Sequence, residues 1–138
     1  MISHVFIGVS DFERALEFYS RVLGELGLVL KFCEPEKPWA GWMSPAAARP
    51  LLLIGAPYNG EAASPGNGQM VALLAPTRAA VDRAHAAALA AGGVCEGPPG
   101  LRVHYHPDYY GAYFRDLDGN KIGVCCHDRV VGDEGVKV

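Results

Sequence analysis

The sequence lacks the features that mark several large classes of protein. No apolar run approaches the roughly 20 residues that a membrane-spanning helix needs, and residues 1–6 show neither the basic nor the apolar stretch of a secretory signal peptide. Acidic residues outnumber basic ones, 15 to 12, and the Lys and Arg residues are not clustered. We therefore expect a cytoplasmic protein that binds a small-molecule ligand, with neither a membrane nor a nucleic acid as partner.

Cysteine is also sparse, and its spacing matches neither a disulfide scaffold nor a Cys-x-x-Cys motif. We expect all four residues to be reduced thiols: Cys33, Cys95, Cys125 and Cys126. Neighbouring residues of a strand point to opposite faces, so Cys125 and Cys126 cannot both line one site. Cys125 shares a face with Gly123, and it is either a thiol in a pocket or a buried spacer.

The first half of the chain predicts one helix and four strands. Ser10-Asp11-Phe12-Glu13 has the Ser-x-x-Glu form of a capping box, so a helix is expected to begin there. Apolar residues then recur at spacings of three and four until Gly24 and Gly27 end the helix. Alternating or continuous apolar stretches predict strands at residues 4–9, 28–33, 39–43 and 51–54. The element order is β-α-β-β-β.

After a turn-rich stretch the same order restarts. Thr77 is expected to cap a second helix that ends at Gly92-Gly93. Gly97-Pro98-Pro99-Gly100 predicts a loop, and Asp118-Gly119-Asn120 predicts a hairpin turn. Strands are predicted at residues 69–74, 94–96, 110–115 and 121–126, with a less regular one between 101 and 106. The second half therefore repeats β-α-β-β-β in element order, although not in residue identity.

These halves predict a single α+β domain over residues 1–127 of the 138. We divide it into module one at about 1–57, a linker at about 58–68 and module two at about 69–127. Residues 128–138 form a tail with little apolar patterning.

Two stretches carry a resemblance to a known superfamily. The first stretch follows a strand that opens with His4 and reads Val-Ser-Asp-Phe-Glu-Arg-Ala-Leu-Glu-Phe-Tyr (residues 9–19). The second reads Tyr-Phe-Arg-Asp-Leu-Asp-Gly-Asn-Lys-Ile (residues 113–122). Both resemble the vicinal-oxygen-chelate superfamily of glyoxalases, bleomycin-resistance proteins and extradiol dioxygenases. The resemblance covers the chain to about His127. It implies two tandem βαβββ modules whose sheets form a curled cup, often completed in a homodimer. Because this superfamily includes lyases, isomerases, dioxygenases, thiol transferases and antibiotic-sequestering proteins, the fold alone does not define the activity.

The resemblance also implies positions for the ligands of a divalent metal, Zn, Ni, Mn or Fe. His4 fills the first of them. Its counterpart in module two is Met70, with Gln69 one residue away, and neither is a histidine. Residues 51–54 contain no carboxylate, and Gly123 stands where members commonly carry an acidic ligand. Because catalytic metal sites generally need three protein ligands, we predict a degenerate metal site in which His4 alone remains.

Other side chains are candidates for binding a substrate or for transferring a proton to or from it. His104 and His106 point the same way in an extended segment near Tyr110. They form an acid/base or oxygen-binding cluster, or with His4 a non-standard metal site, or else an exposed polar loop. Trp39 and Trp42 form either an aromatic wall for a flat ligand or part of the core. Gln69, Tyr113 and Cys125 complete the predicted substrate contacts.

Three functions stay open at this point. The first is a lactoylglutathione-lyase-like enzyme that acts on a small oxygenated compound through a metal held by His4 and unexpected partners such as Gln69 or His104. The second is a metal-free enzyme in which His4, His106 and a tyrosine act as acid and base. The third is a non-catalytic protein that binds or sequesters a small molecule of the antibiotic type.

Overall fold

The predicted repeat of βαβββ modules is confirmed in the computed structural model, which describes residues 1–129. The predicted tail therefore lies outside the described residues except for its first two. Module one contains β1 (His4–Gly8), α1 (Phe12–Glu25), β2 (Val29–Glu34), β3 (Trp39–Ser44) and β4 (Ala47–Gly55). Module two contains β5 (Val71–Leu74), α2 (Arg78–Ala90), β6 (Val94–Leu101), β7 (Tyr110–Arg115) and β8 (Lys121–Cys126).

Each module folds its strands into one four-stranded sheet. Sheet A has the order β1-β4-β3-β2, and sheet B has the matching order β5-β8-β7-β6. In both sheets the first strand runs parallel to the last, and the other pairs are antiparallel. The helix crossover makes the second strand of each module run in the direction of the first. Two antiparallel steps then return the last strand to that same direction, beside the first strand.

The two helices cover one face of each sheet and join both modules in one core. Phe18 of α1 meets Phe114 of β7 with ring centroids 6.0 Å apart, and Tyr19 meets Trp42 of β3 at 6.4 Å. All four side chains belong to a single cluster of buried residues. We call the sheet faces turned away from the helices the outer faces. Within residues 1–129, neither helix is long and apolar enough to cross a membrane.

Helix α1 begins one residue later than its capping motif predicts. The Asp11 carboxylate caps it by accepting from the Arg14 N–H at 3.2 Å, whereas Ser10 is engaged elsewhere. The Ser10 hydroxyl accepts from the Ala63 N–H, and the Ser10 N–H donates to the Asp118 carboxylate, both at 3.0 Å. The prediction of a Ser10 cap is therefore wrong, because contacts distant in sequence take both polar groups of Ser10. The Thr77 cap of α2 is confirmed.

The predicted Gly-Pro-Pro-Gly loop is also wrong, since Gly97–Gly100 continues strand β6. Proline cannot donate to a sheet ladder, but β6 is the edge strand of sheet B and its pairing with β7 is irregular around Gly97. The extra strand predicted between residues 101 and 106 is absent from the described structure, where residues 102–109 form turns after Leu101.

The hairpin turn between β7 and β8 fastens module two onto module one. Buried Asp116 accepts from the Tyr19 hydroxyl at 2.6 Å and also from three groups inside its own turn. The Asn120 amide donates to the Gly8 carbonyl at 3.1 Å, next to the Ser10–Asp118 bond. The predicted hairpin is confirmed, and its polar residues also connect the modules.

Candidate functional site

The candidate site lies on the outer face of sheet B. Alternate residues of β7 are fully buried against the helices: Tyr110, Ala112 and Phe114. Because neighbouring side chains of a strand point to opposite faces, Tyr113 lies on the outer face. Its partner in β8 is Gly123, two residues before Cys125, so these three positions share that face.

Two glycines let tyrosine rings lie flat on this face. A Cβ at Gly111 would stand 2.9 Å from the Tyr109 ring, and a Cβ at Gly123 would stand 3.2 Å from the Tyr113 ring. The rings are joined at their hydroxyl ends, where Tyr109 Oη lies 2.9 Å from Tyr113 Oη and 2.9 Å from Cys125 Sγ. The result is a hydroxyl–thiol cluster supported by two aromatic rings.

A wall of aromatic rings lies beside this cluster, formed by the loop of residues 102–109 together with His127, which follows β8. His106 Nε2 lies 2.9 Å from His127 Nδ1, and the two imidazoles are stacked at an interplanar angle of 24°. The Tyr109 ring meets both imidazoles edge-on. Tyr105 continues the wall, with its centroid 4.9 Å from that of Tyr109, and His104 packs on Tyr105 at 4.3 Å.

The rings enclose an open groove of about 700 Å³, a volume within the range typical of small-molecule sites. We call it the sheet B groove. Its lining residues come from β6, β7, β8 and the flanking segments: Met70, Glu96, Gly97, Arg102, Tyr105, His106, Tyr109, Tyr113, Lys121 and His127.

Tyr109 and Cys125 stay protonated at neutral pH. Burial raises the pKa of Tyr109 well above that of an ordinary tyrosine, and its hydrogen bonds with Cys125 and Tyr113 raise it further. Burial also raises the pKa of the Cys125 thiol, although the hydrogen bond from Tyr109 opposes this shift. Tyr109 and Cys125 thus present a neutral hydroxyl and a neutral thiol rather than a thiolate nucleophile.

The structure brings together several of the predicted site residues and separates others. His106 and Tyr113 line the sheet B groove, Cys125 bonds to its wall, and His104 flanks it. Tyr110 instead lies on the helix face, where its hydroxyl donates to the Asp82 carboxylate at 2.6 Å. This buried position gives Tyr110 no access to the groove.

The remaining predicted residues lie near or within sheet A. Trp42 is buried under the helices, so it fills the core rather than a ligand wall. Trp39 packs on Phe32, with centroids 4.7 Å apart, and donates to the Glu34 carboxylate. His4 is exposed, and its ring nitrogen lies 2.9 Å from the Ser3 hydroxyl.

Gln69 lines a different cavity, of about 160 Å³, between β1 and β8. It therefore lies apart from the ring wall, whereas its neighbour Met70 lines both cavities.

The residues present do not fit the metal site that the resemblance implies. Within residues 1–129, no three His, Cys, Asp or Glu side chains stand close enough together to share one ion. At Gly123, where an acidic ligand is expected, the Tyr113 ring and the Met70 sulfur occupy the space, 3.2 and 3.3 Å from the position of a Cβ. His4 is thus left without its expected ligand partners.

Sequence reasoning missed several groove residues. Tyr109 could have been found by alternation, because it shares a face with Tyr113 whereas Tyr110 does not. His127 could be found in the same way, because it follows β8 two residues after Cys125 and so continues the face of Gly123 and Cys125. Arg102 carries no comparable signal, since the loop that brings it to the groove has no regular period.

Solved structures share this architecture. A glyoxalase/bleomycin resistance protein from Albidiferax ferrireducens T118 is 39% identical, has a TM-score of 0.79 and matches 93% of this chain and 99% of its own. TnmS3, an antibiotic binding protein from Streptomyces sp. CB03234, is 23% identical and has a TM-score of 0.63. The match covers 93% of this chain and 96% of TnmS3, and at this identity it shows a similar fold alone. The comparison with curated proteins gives no match.

The sequence also matches a family model directly. The model of the Glyoxalase/Bleomycin resistance protein/Dioxygenase superfamily covers residues 1–124, which includes both modules and every strand but the end of β8. This match confirms the resemblance seen in the two sequence stretches. The chain belongs to the Glyoxalase/Bleomycin resistance protein/Dioxygenase superfamily.

Proposed function

We propose that the chain is a binding protein that holds a small organic molecule in the sheet B groove. The observation that carries this proposal is the continuous wall of tyrosine and histidine rings around the Tyr109–Tyr113–Cys125 cluster. Tyrosine offers apolar ring area together with a hydroxyl that fixes orientation, which is what a small-molecule site needs. The antibiotic-binding protein TnmS3 has the same fold, so the fold is compatible with this proposal without deciding it.

The chemistry of the cluster favours binding over covalent catalysis. Cys125 is buried and its pKa is raised, so it supplies little thiolate at neutral pH. Tyr109 is a hydrogen-bond donor under the same conditions rather than a base. Both groups can orient a ligand without attacking it.

The test is a titration with a panel of flat aromatic compounds, including antibiotics, followed by recovery of the ligand. We expect at least one compound to bind and to be recovered unchanged after long incubation, as judged by mass spectrometry. Tyr113→Ala should weaken that binding by roughly tenfold, since it removes a ring worth about 0.5–1.5 kcal/mol in stacking besides its buried area. Tyr58→Ala is the matched control, because Tyr58 is fully exposed and lies outside the groove lining.

A second function has one observation in its favour. The paired imidazoles of His106 and His127 could pass a proton to or from a bound carbonyl compound without a metal, which would be the acid–base route to a glyoxalase-type reaction. His127→Gln would then abolish turnover of a small carbonyl compound while chelators left it intact. Unchanged turnover in His127→Gln would exclude this route.

We also propose that the protein is a cytoplasmic homodimer. Large apolar side chains stay exposed in one chain, among them Phe6 and Leu30 of sheet A and Leu74 of β5. Burial of these side chains against a second copy would remove apolar surface from water, which favours association. Light scattering after size exclusion would give the oligomeric state, and a monomeric mass would oppose the proposal. Cell fractionation tests the location.

A further inference from the structure

Two cations flank the ring at the centre of the sheet B groove. The Arg102 guanidinium lies 5.6 Å from the centroid of Tyr113, and the Lys121 ammonium lies 5.7 Å from it. Both distances fall within the range of cation–π attraction. The chain carries a net charge of -3, so this concentration of positive charge does not reflect a generally basic surface.

The carboxylate of the groove does not neutralise these charges. Glu96 is the acidic residue of the lining, and it is paired with Arg115, with 2.8 Å between Oε1 and Nε. The hydrogen bond and charge of Arg115 lower the pKa of Glu96, and the charge of Lys121 lowers it further without an ion pair of 4.0 Å or less between Lys121 and Glu96. The lining thus holds one carboxylate, which is already paired with Arg115, and two cations, Arg102 and Lys121, which leaves an excess of positive charge.

Arg102 is also held in place before any ligand arrives. Its two terminal nitrogens donate to the carbonyls of Gly100 at 2.9 Å and Pro98 at 2.7 Å. Neutral carbonyls orient the guanidinium but do not cancel its charge. Among residues 1–129, neither Arg102 nor Lys121 forms an ion pair of 4.0 Å or less. An oriented and uncompensated cation is a typical anion-binding element.

We propose that the ligand of the sheet B groove is a flat aromatic molecule that carries a carboxylate or a similar anionic group. The rings of Tyr105, Tyr109 and Tyr113 bind its aromatic part, and Arg102 and Lys121 bind its anionic end. The Tyr113 hydroxyl lies in the same groove and can exchange its hydrogen bond with Tyr109 for one to a further oxygen of the ligand. This inference rests on the proposed binding function and adds the class of ligand to it.

Isothermal titration with three probes separates the parts of the inference. 2-Naphthoate is aromatic and anionic, 2-naphthamide is aromatic and neutral, and cyclohexanecarboxylate is anionic without an aromatic ring. We expect 2-naphthoate to bind most tightly. Arg102→Gln and Lys121→Gln should each weaken 2-naphthoate by about tenfold, the loss expected for one charge-assisted contact, and should leave 2-naphthamide unchanged.

Two further variants keep this test decisive. Lys37→Gln makes the same charge change on an exposed lysine that pairs with Glu34 outside the groove, and it should have no effect on any probe. Arg102→Lys keeps the positive charge and should retain the preference for 2-naphthoate. If Arg102→Gln does not fold, Lys121→Gln decides the question, because no hydrogen bond of the described structure depends on its side chain.

Several results would overturn the inference. Equal affinity for 2-naphthamide and 2-naphthoate would overturn it, and so would an unchanged affinity for 2-naphthoate in Lys121→Gln. In both cases the proposed binding function would stand. Tightest binding of cyclohexanecarboxylate would remove the aromatic part of the inference. If none of the three probes binds, the inferred class of ligand is rejected. The proposed binding function itself fails if no compound of the broader panel binds, or if Tyr113→Ala does not weaken the binding of a compound that does.

Discussion

The hydrogen bond between Tyr19 and Asp116 gives a sharp test of how the modules are connected. Tyr19 lies on α1 of module one, and its hydroxyl donates to the buried Asp116 carboxylate of module two at 2.6 Å. Tyr19→Phe removes the donor and leaves the ring packing intact. A hydrogen bond to a charged acceptor contributes about 1.5–3 kcal/mol, and Asp116 keeps three other donors, so we expect a loss of about 2 kcal/mol in the free energy of unfolding.

Urea denaturation followed by circular dichroism measures this loss. At a slope of about 2 kcal/mol per molar urea, the midpoint of Tyr19→Phe should fall by about 1 M at pH 7.5. Tyr58→Phe is the matched control, since the fully exposed Tyr58 hydroxyl should contribute nothing measurable. A midpoint for Tyr19→Phe that coincides with that of the wild type would refute the argument.

We also expect the difference in stability between the wild type and Tyr19→Phe to depend on pH in the alkaline range. Burial and the nearby Asp116 charge hold the pKa of Tyr19 well above its ordinary value of 10.0. A group whose pKa is raised in the folded state contributes stability that is complete below its unfolded pKa and is lost as pH rises above it. The wild type should therefore lose about 1.4 kcal/mol per pH unit above pH 10 that Tyr19→Phe does not lose. The stability gap between them should narrow from pH 10 to pH 11.

Two further outcomes follow from packing and burial. Gly41→Ala should lower the free energy of unfolding by about 1–3 kcal/mol, because a Cβ there would stand 2.6 Å from both Leu53 Cδ2 and Phe32 Cε1. At pH 8, iodoacetamide should modify exposed Cys95 at least about tenfold faster than buried Cys125, whose pKa is raised, as read by peptide mass spectrometry.

Each of these outcomes has its own control. Gly24→Ala makes the same substitution on α1 where nothing lies within 4 Å of the new Cβ, so it should be neutral or stabilising. A stable Gly41→Ala would show that the outer face of sheet A has spare room. In urea the labelling rates of Cys95 and Cys125 should converge, and equal rates in the native protein would contradict the protected position of Cys125.

Local sequence patterns predicted the fold well because the modules follow strong periodic signals. The apolar stripe of α1 and the Asp118-Gly119-Asn120 turn depend on neighbouring residues, and both appear as expected. Gly97–Gly100 was misread because Pro and Gly usually break strands, whereas an irregular edge strand accepts them. The Ser10 cap failed because partners distant in sequence compete for the same groups.

The candidate site was harder to predict, since its members come from different elements. Alternation along β7 could have excluded Tyr110 once Tyr113 was assigned to the groove. No sequence spacing predicts that His106 stacks on His127, because a loop without a period sets that distance. Arg102 likewise reaches the Tyr113 ring through a turn whose course depends on tertiary packing.

The bonds from the β7–β8 turn to Gly8, Ser10 and Tyr19 bear on how the molecule unfolds. A repeat built from two similar halves could in principle melt one half at a time. Here the halves share a core and also these polar contacts, of which the Tyr19–Asp116 bond is buried, so opening either half breaks bonds that the other half needs. Slowly exchanging amide protons in both sheets should therefore report one common opening free energy, and neither half expressed alone should form a stable sheet.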